Sequence, residues 1–295
     1  MKRLPVLLSV VVLAVGSLSA GQNIQPPPIE VGPLTVSSGL NVVPAFEGWE
    51  KNSDGSFNLV FGYLNRNYDE ILDIPIGPNN SIEPGGPDRG QPTHFYPRRS
   101  RFVFRVKVPK DWGTKDVVWT LTVRGKSEKA YGSLLPVEII DPEVVGANFT
   151  GSTTFDENNK PPTVSVEGPD RRTVKVGQPL ALVAIARDDD DNPKPKAAPQ
   201  SRPPGRRSAM GLRVSWSQYR GAGKVVFDPP QALTYSDPRS DLSPWTPGWA
   251  PPPVPADHRF ETKATFSSPG TYVLRVVAHD GWADAVQDIT VTVTP

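Results

Sequence analysis

The sequence predicts an all-β chain, two antiparallel β-sandwich domains in tandem, and three observations carry that reading. The first is punctuation: 35 prolines and 25 glycines interrupt 295 residues of which only 37% are hydrophobic, so apolar runs are short and bounded by turn formers. The second is alternation with a period of two, which places every other side chain on one face of a strand. The third is a pair of Asp-Gly dipeptides, Asp54-Gly55 and Asp280-Gly281, each set between two alternating runs. Glycine there supplies the positive φ that a tight hairpin requires. A chain of this length suits about two domains of roughly 150 residues each, with two cores that need no disulfide or metal staple.

Residues 1–20 have the anatomy of a secretory signal peptide. Lys2 and Arg3 precede the apolar run Leu4 to Leu18, and Ser17-Leu18-Ser19-Ala20-Gly21 closes it with small residues. The run is shorter than the roughly 20 residues that span a bilayer, so removal is expected rather than retention as an anchor. No cysteine follows to carry a lipid, and no later stretch is apolar enough to cross a membrane. The complete lack of cysteine in an exported chain points to a bacterial envelope or extracellular protein, since eukaryotic secreted sandwiches of this size commonly carry disulfides. A net charge of +1 argues against a nucleic-acid partner.

Residues 21–39 read as a flexible tether, extended around Pro26-Pro27-Pro28. The first domain follows over 40–141. Phe57, Leu59, Phe61 and Tyr63 share one face of a strand. Phe102, Phe104, Val106 and Val108 do the same, with Arg101, Arg105 and Lys107 expected to face solvent. Val117, Trp119, Leu121 and Val123 make a third inward row. Residues 142–162 read as a linker, with Gly146, Gly151 and Pro161-Pro162.

The second domain, 163–295, shows seven strand-like runs: Thr163–Glu167, Pro179–Arg187, Leu212–Gln218, Lys224–Phe227, Arg259–Phe266, Thr271–His279 and Ala285–Thr294. Tyr272, Leu274, Val276 and Ala278 point one way, and Ile289, Val291 and Val293 answer from the last strand. Seven strands at this spacing predict an immunoglobulin-like sandwich. The stretches Val174-Lys175-Val176-Gly177-Gln178-Pro179-Leu180, Val214-Ser215-Trp216 and Ser268-Pro269-Gly270-Thr271-Tyr272-Val273-Leu274, with His279-Asp280-Gly281, resemble PKD and related bacterial immunoglobulin-like repeats. The resemblance covers roughly residues 161–295. It implies a buried Trp216 on the third strand and Tyr272 opening the next-to-last one. Such modules serve as spacers, adhesion units and enzyme appendages alike, so the resemblance bears on fold rather than function.

Little in the sequence points to catalysis. There is no cysteine nucleophile, no Gly-x-Ser-x-Gly elbow, no His-Glu-x-x-His and no phosphate loop. The three histidines, His94, His258 and His279, have no metal-ligand spacing. A facing carboxylate pair in the first domain stays open as the signature of a glycoside hydrolase-like enzyme.

Candidate binding residues gather instead on two long proline-rich insertions, 188–211 and 228–258. Strand direction brings both, with the 280–284 turn, to one end of the second sandwich. Asp188, Asp189, Asp190 and Asp191 repel one another, and a calcium ion completed by Asp280 and Asp284 would relieve that; a solvated acidic turn is the alternative. Arg206 and Arg207, with Arg202, suit either an anionic partner or neutralisation of that run. Trp245 and Trp249 form a stiff aromatic pair that suits sugar stacking or a protein interface, or else folds back over the sandwich. In the first domain, the aromatic and basic loop 90–99 suits either an anionic ligand or a packed turn. The expectation is a non-catalytic exported binding or scaffolding protein of the envelope, its partner an envelope protein or polysaccharide. A carbohydrate-binding accessory protein comes second.

Overall fold

A computed structural model describes residues 36–149, 159–189, 212–231 and 253–295. The first sandwich contains β1 (Val42–Lys51), β2 (Phe57–Asn65), β3 (Leu72–Asp73), β4 (Asn80–Glu83), β5 (His94–Phe95), β6 (Arg98–Val108), β7 (Val117–Val123) and β8 (Lys126–Gly132). One sheet runs β1-β2-β6 and the facing one β4-β7-β8, with β3 and β5 as a separate short pair. Asp54-Gly55 turns β1 into β2 as the sequence predicts, with Gly55 at φ 82°.

Aromatic packing dominates this core. Phe61 stacks on Phe104 at 5.5 Å, and Phe104 meets Trp119 edge to face at 4.9 Å. The polar edge of Trp119 is satisfied inside: its Nε1 donates to Asn80 Oδ1 at 3.0 Å, while the Asn80 amide donates to the carbonyls of Ile74 and Pro92. Three of the expected inward rows hold except at one residue. Phe102 does not share the face of Phe104. Between the pairs Phe61–Phe104 and Tyr63–Ser100 the register shifts, so that three residues of β6 oppose Gly62 alone. Phe102 takes φ 52° in this bulge and turns to the other side of the sheet, where it packs with Val60 and Ile140. Gly62 permits the arrangement, because a Cβ there would lie 2.1 Å from Glu47 Oε1 and 2.4 Å from the Ser100 carbonyl.

The start of the segment read as linker is a helix, α1 (Pro142–Phe149). Asp141 caps it, accepting from the Val144 N–H at 2.8 Å, and Val144 and Val145 pack on the Val60–Phe102–Ile140 cluster. β2 is therefore buried on both faces, as its apolar residues at both parities, Leu59 and Val60, allow.

The second sandwich contains β9 (Thr163–Val166), β10 (Arg171–Lys175), β11 (Leu180–Arg187), β12 (Arg213–Arg220), β13 (Val225–Asp228), β14 (Arg259–Phe266), β15 (Gly270–His279) and β16 (Asp284–Thr294). Its sheets run β9-β11-β14-β13 and β10-β16-β15-β12. These are the A-B-E-D and G-F-C sheets of an immunoglobulin-like sandwich, with an extra strand added beside G. That strand, β10, is absent from the predicted set and pairs with β16 in parallel, so the domain is not wholly antiparallel. Trp216 and Tyr272 are fully buried where the resemblance places them. The Tyr272 hydroxyl shares its one proton between two backbone carbonyls, Ala222 in the turn from β12 to β13 at 2.8 Å and Ser268 in the turn before β15 at 2.9 Å.

Candidate functional site

The outward row of the β12-β15-β16 sheet should face solvent if the sandwiches are independent. It carries Ser217 and Tyr219 on β12, Arg275, Val277 and His279 on β15, and Asp284, Val286 and Asp288 on β16. Cross-strand register sets Ser217 beside Arg275 and Arg275 beside Asp288, and likewise Arg213 beside His279 and His279 beside Asp284. The first sandwich lies on this row through Val103 and Arg105 of β6 and the 88–96 loop.

Tyr219 is the centre of the dock. It is 5% exposed and belongs to the core of the first sandwich, although it comes from a strand of the second. Its hydroxyl donates to the Gly90 carbonyl at 2.5 Å, and the Arg275 guanidinium lies 3.5 Å over its ring. Arg275 also grips Asp288 through two nitrogens at 2.7 and 2.8 Å and donates to the Val103 carbonyl at 2.7 Å. Arg105, expected in solvent, sits between Glu50 of its own sandwich at 2.9 Å and Asp284 of the other at 2.8 Å. Arg220 holds Asp88 at 2.8 and 2.9 Å and the Gln91 carbonyl at 2.9 Å. Backbone groups join as well: Thr93 N–H donates to the Tyr219 carbonyl at 3.2 Å and Gln218 N–H to the Tyr96 hydroxyl at 2.9 Å.

The chemistry of this seam follows from burial and pairing. Burial disfavours the charges of Arg105 and Arg275, but Asp284 with Glu50, and Tyr219 with Asp288, outweigh it and raise both pKa values. Burial pushes the hydroxyls of Tyr63 and Tyr219 up to about 12, so both stay protonated, Tyr219 donating to Gly90 and Tyr63 accepting from the Tyr96 N–H at 3.0 Å. Beside the dock the seam leaves a cavity of about 70 Å³, room for several waters, lined among others by His94, Tyr96, Arg101, Phe102, His279 and Val286. The loop 90–99, read as an anion contact or a packed turn, supplies part of this wall and much of the dock.

The loop end of the second sandwich is a second polar cluster. Asp280 is 2% exposed. Its Oδ1 accepts from the backbone N–H groups of Trp282 and Ala283, both at 2.7 Å, and its Oδ2 from Asn159 at 2.9 Å. Asp188 lies close enough that burial and the charge of Asp280 raise its pKa to about 7. Burial lowers Arg213 to about 10 against the pull of Asp280, and burial with the Arg213 charge lowers His279 to about 3. The turn after β15 and the start of the first insertion therefore meet at one end, as strand direction predicts. His258, at the close of the second insertion, accepts there from the Ala186 N–H at 3.2 Å through its carbonyl.

Of the candidate metal ligands, Asp188 and Asp280 come together, while Asp189 faces Lys160 at 3.8 Å. Among the described residues no three His, Asp or Glu side chains converge as a metal cage would require. Asp190, Asp191, Arg206, Arg207, Trp245 and Trp249 lie outside the described residues. The sequence reading missed Tyr219, Arg220, Arg105 and Arg275 as a functional set. A signal for them exists: β15 and β16 carry Val273, Val277 and Val286 on the row that a free sandwich would give to water.

No family model matches the chain, and no curated protein matches it. Solved structures with detectable likeness include a conjugative transposon lipoprotein from Bacteroides eggerthii, 16% identical with a TM-score of 0.25 over 44% of this chain and 96% of that one. The fibronectin(III)-like modules of CbhA from Clostridium thermocellum are 11% identical with a TM-score of 0.24, over 86% of this chain and 94% of that one. Domains 4 and 5 of the S-layer protein SbsC are 8% identical with a TM-score of 0.26, over 87% and 98%. Likeness at this level is silent on function. Among the described residues no helix is long and apolar enough to cross a membrane.

Proposed function

We propose that the chain is an exported, non-catalytic binding or scaffolding protein of the bacterial cell envelope, its second half a PKD-like module. The observation that carries this reading is the dock. Tyr219 enters the core of the neighbouring sandwich, and Arg105, Arg220 and Arg275 bridge the two. A spacer of independent modules needs no such joint, whereas a presenting platform does: it fixes the direction in which the loop end points. The two insertions leave the second sandwich at that end, and their partner is an envelope protein or polysaccharide.

A carbohydrate-binding role through Trp245 and Trp249 is the second reading, favoured by two tryptophans within five residues of proline-rich chain. The test is a screen of the mature protein against glycans and cell-wall polysaccharides, beside the Trp245→Ala/Trp249→Ala double variant. Binding that disappears in the variant selects the carbohydrate reading. Cross-linking to an envelope protein with no glycan bound selects the scaffold. Release of reducing ends from any polysaccharide would overturn both and reinstate a hydrolase.

A further inference from the structure

We infer that the free edge of β10 is a docking site for an extended acidic segment of a partner protein, which joins the β10-β16-β15-β12 sheet as a further strand. The inference is independent of which partner the loop end takes.

The ladder fixes which backbone groups of β10 are free. The strand pairs with β16 in parallel, from Arg171 beside Thr290 to Lys175 beside Thr294. The Thr290 N–H donates to the Asp170 carbonyl at 2.7 Å, and the Val176 N–H to the Thr294 carbonyl at 2.8 Å. Even-numbered residues therefore turn their backbone groups to β16, and Arg171, Thr173 and Lys175 turn theirs away. The Gln178 N–H takes the Lys175 carbonyl at 3.1 Å. The N–H groups of all three residues, and the carbonyls of Arg171 and Thr173, bond to no described residue.

The other edges of the three- and four-stranded sheets each carry a partner. On β12, Trp216 N–H donates to the Gln231 side chain at 3.2 Å and Gln218 N–H to the Tyr96 hydroxyl at 2.9 Å. Gln218 Oε1 accepts from Val225 on β13 at 3.2 Å, and Gln287 Oε1 from Val166 on β9 at 2.9 Å. In the first sandwich, Ile140 N–H donates to the Trp49 carbonyl of β1 at 2.8 Å, and Ile82 N–H of β4 to Pro87 at 3.2 Å. Arg275 and Arg89 occupy the Val103 and Lys107 carbonyls of β6 at 2.7 and 3.0 Å. β8 lies against β1, with Asn41 donating to Glu128 at 3.0 Å. Beside these, an edge open at three alternate residues is a template for another strand.

Charge selects the occupant. Arg171 and Lys175 are exposed and pair with no described residue, and with Thr173 they share one face of the strand. A second copy laid antiparallel about Thr173 would set Arg171 opposite Lys175 twice, like charge against like. A segment with carboxylates at i and i+4 meets both cations in either direction. A β-branched residue midway between them then lies beside Thr173.

The experiment is fluorescence anisotropy of the mature protein with the labelled peptide Thr-Glu-Val-Thr-Val-Glu-Thr and its analogue with lysine for glutamate. Amide hydrogen exchange, read residue by residue, locates the contact. The glutamate peptide is expected to bind about tenfold more tightly and to slow exchange at Arg171, Thr173 and Lys175. Arg171→Glu/Lys175→Glu alters only exposed side chains and should reverse the preference. Thr173→Pro removes an outward N–H, leaves the β16 ladder in place and should abolish binding. No binding of the glutamate peptide, a preference that survives charge reversal, or binding retained in the folded Thr173→Pro variant would each overturn the assignment. So would protection on another strand, or a dimer that forms through β10 without peptide.

Discussion

The seam and the loop end are built from the same residue types, arginine, aspartate and histidine, and the protein treats their charges in opposite ways. At the seam, Arg105 and Arg275 each meet carboxylates with good geometry, and their positive charge is reinforced. At the loop end burial wins: Arg213 falls to about 10, Asp188 rises to about 7 and His279 falls to about 3. The difference lies in pairing rather than composition. A guanidinium that grips a carboxylate through two nitrogens recovers the hydration it loses, whereas Asp280 already accepts three N–H donors and shares one buried corner with Asp188 and Arg213. Fixed charges make a joint, and weakened charges make a region that titrates.

The largest expected effect tests the joint. Tyr219→Ala removes an aromatic ring from the first core, the hydrogen bond to Gly90 and the platform under Arg275. A loss of about 3 kcal/mol is expected in urea unfolding, in the range of large-to-small aromatic truncations. The single transition should also split in two as the sandwiches uncouple. One unchanged transition would mean that the dock contributes little and that the comparison rests on the wrong residue.

Arg275→Met sharpens the same side. It keeps the apolar stem but leaves Asp288 and the Val103 carbonyl without their donor. The site is partly open to water, so about 2 kcal/mol is expected rather than the larger cost of a sealed pair. A double-mutant cycle with Tyr219→Ala should show strong coupling, because the two side chains touch. Additive losses would separate the cation–π contact from the salt bridge.

The loop end is tested by pH, and its two titrating groups pull in opposite directions. His279 has its pKa lowered in the fold to about 3, so its contribution is full above the unfolded value of about 6.5 and is lost as pH falls toward 3. Asp188 has its pKa raised to about 7, so ionisation costs stability as pH rises from about 4 through 7. Asp188→Asn removes that cost. The variant should be more stable than the parent at pH 8 by about 1 kcal/mol, a figure discounted for partial exposure, and equal to it at pH 4. A variant less stable than the parent at pH 8 would show that the carboxylate is wanted in its charged form.

The sandwiches were legible because period-two rows speak for one buried face. Trp119, Leu121, Tyr272, Leu274, Ile289 and Val291 all lie where alternation puts them. What alternation does not announce is a strand buried on both sides. Val60 and Val277 break the pattern only mildly, and without knowing that α1 covers one and the first sandwich the other, they read as tolerated surface residues. Phe102 was misplaced for a related reason. The bulge at β6 inserts two residues, so Ser100 returns to the face of Phe104 and only the bulge itself departs from alternation, and no glycine marks the spot, since the yielding glycine is Gly62 on the neighbouring strand. The docking set was hidden because Arg105, Arg220 and Arg275 look like solvated charges until a partner surface is known.

The smallest expected effect concerns calcium. A calcium ion takes six to eight oxygens, and Asp280, placed by the sequence reading among its ligands, already turns its oxygens to Trp282, Ala283 and Asn159. The buried Arg213 adds positive charge beside it, a further obstacle to a cation. Millimolar calcium is therefore expected to move Tm by less than about 1 °C, where a ligand selective for the folded state would move it in proportion to its occupancy. A saturable rise that Asp188→Asn or Asp190→Asn blunts would break the comparison at its root. The loop end would then hold a site in which Asp188, Asp189, Asp190 and Asp191 act together, and the weakened charge of Asp188 would mark a ligand waiting for its metal.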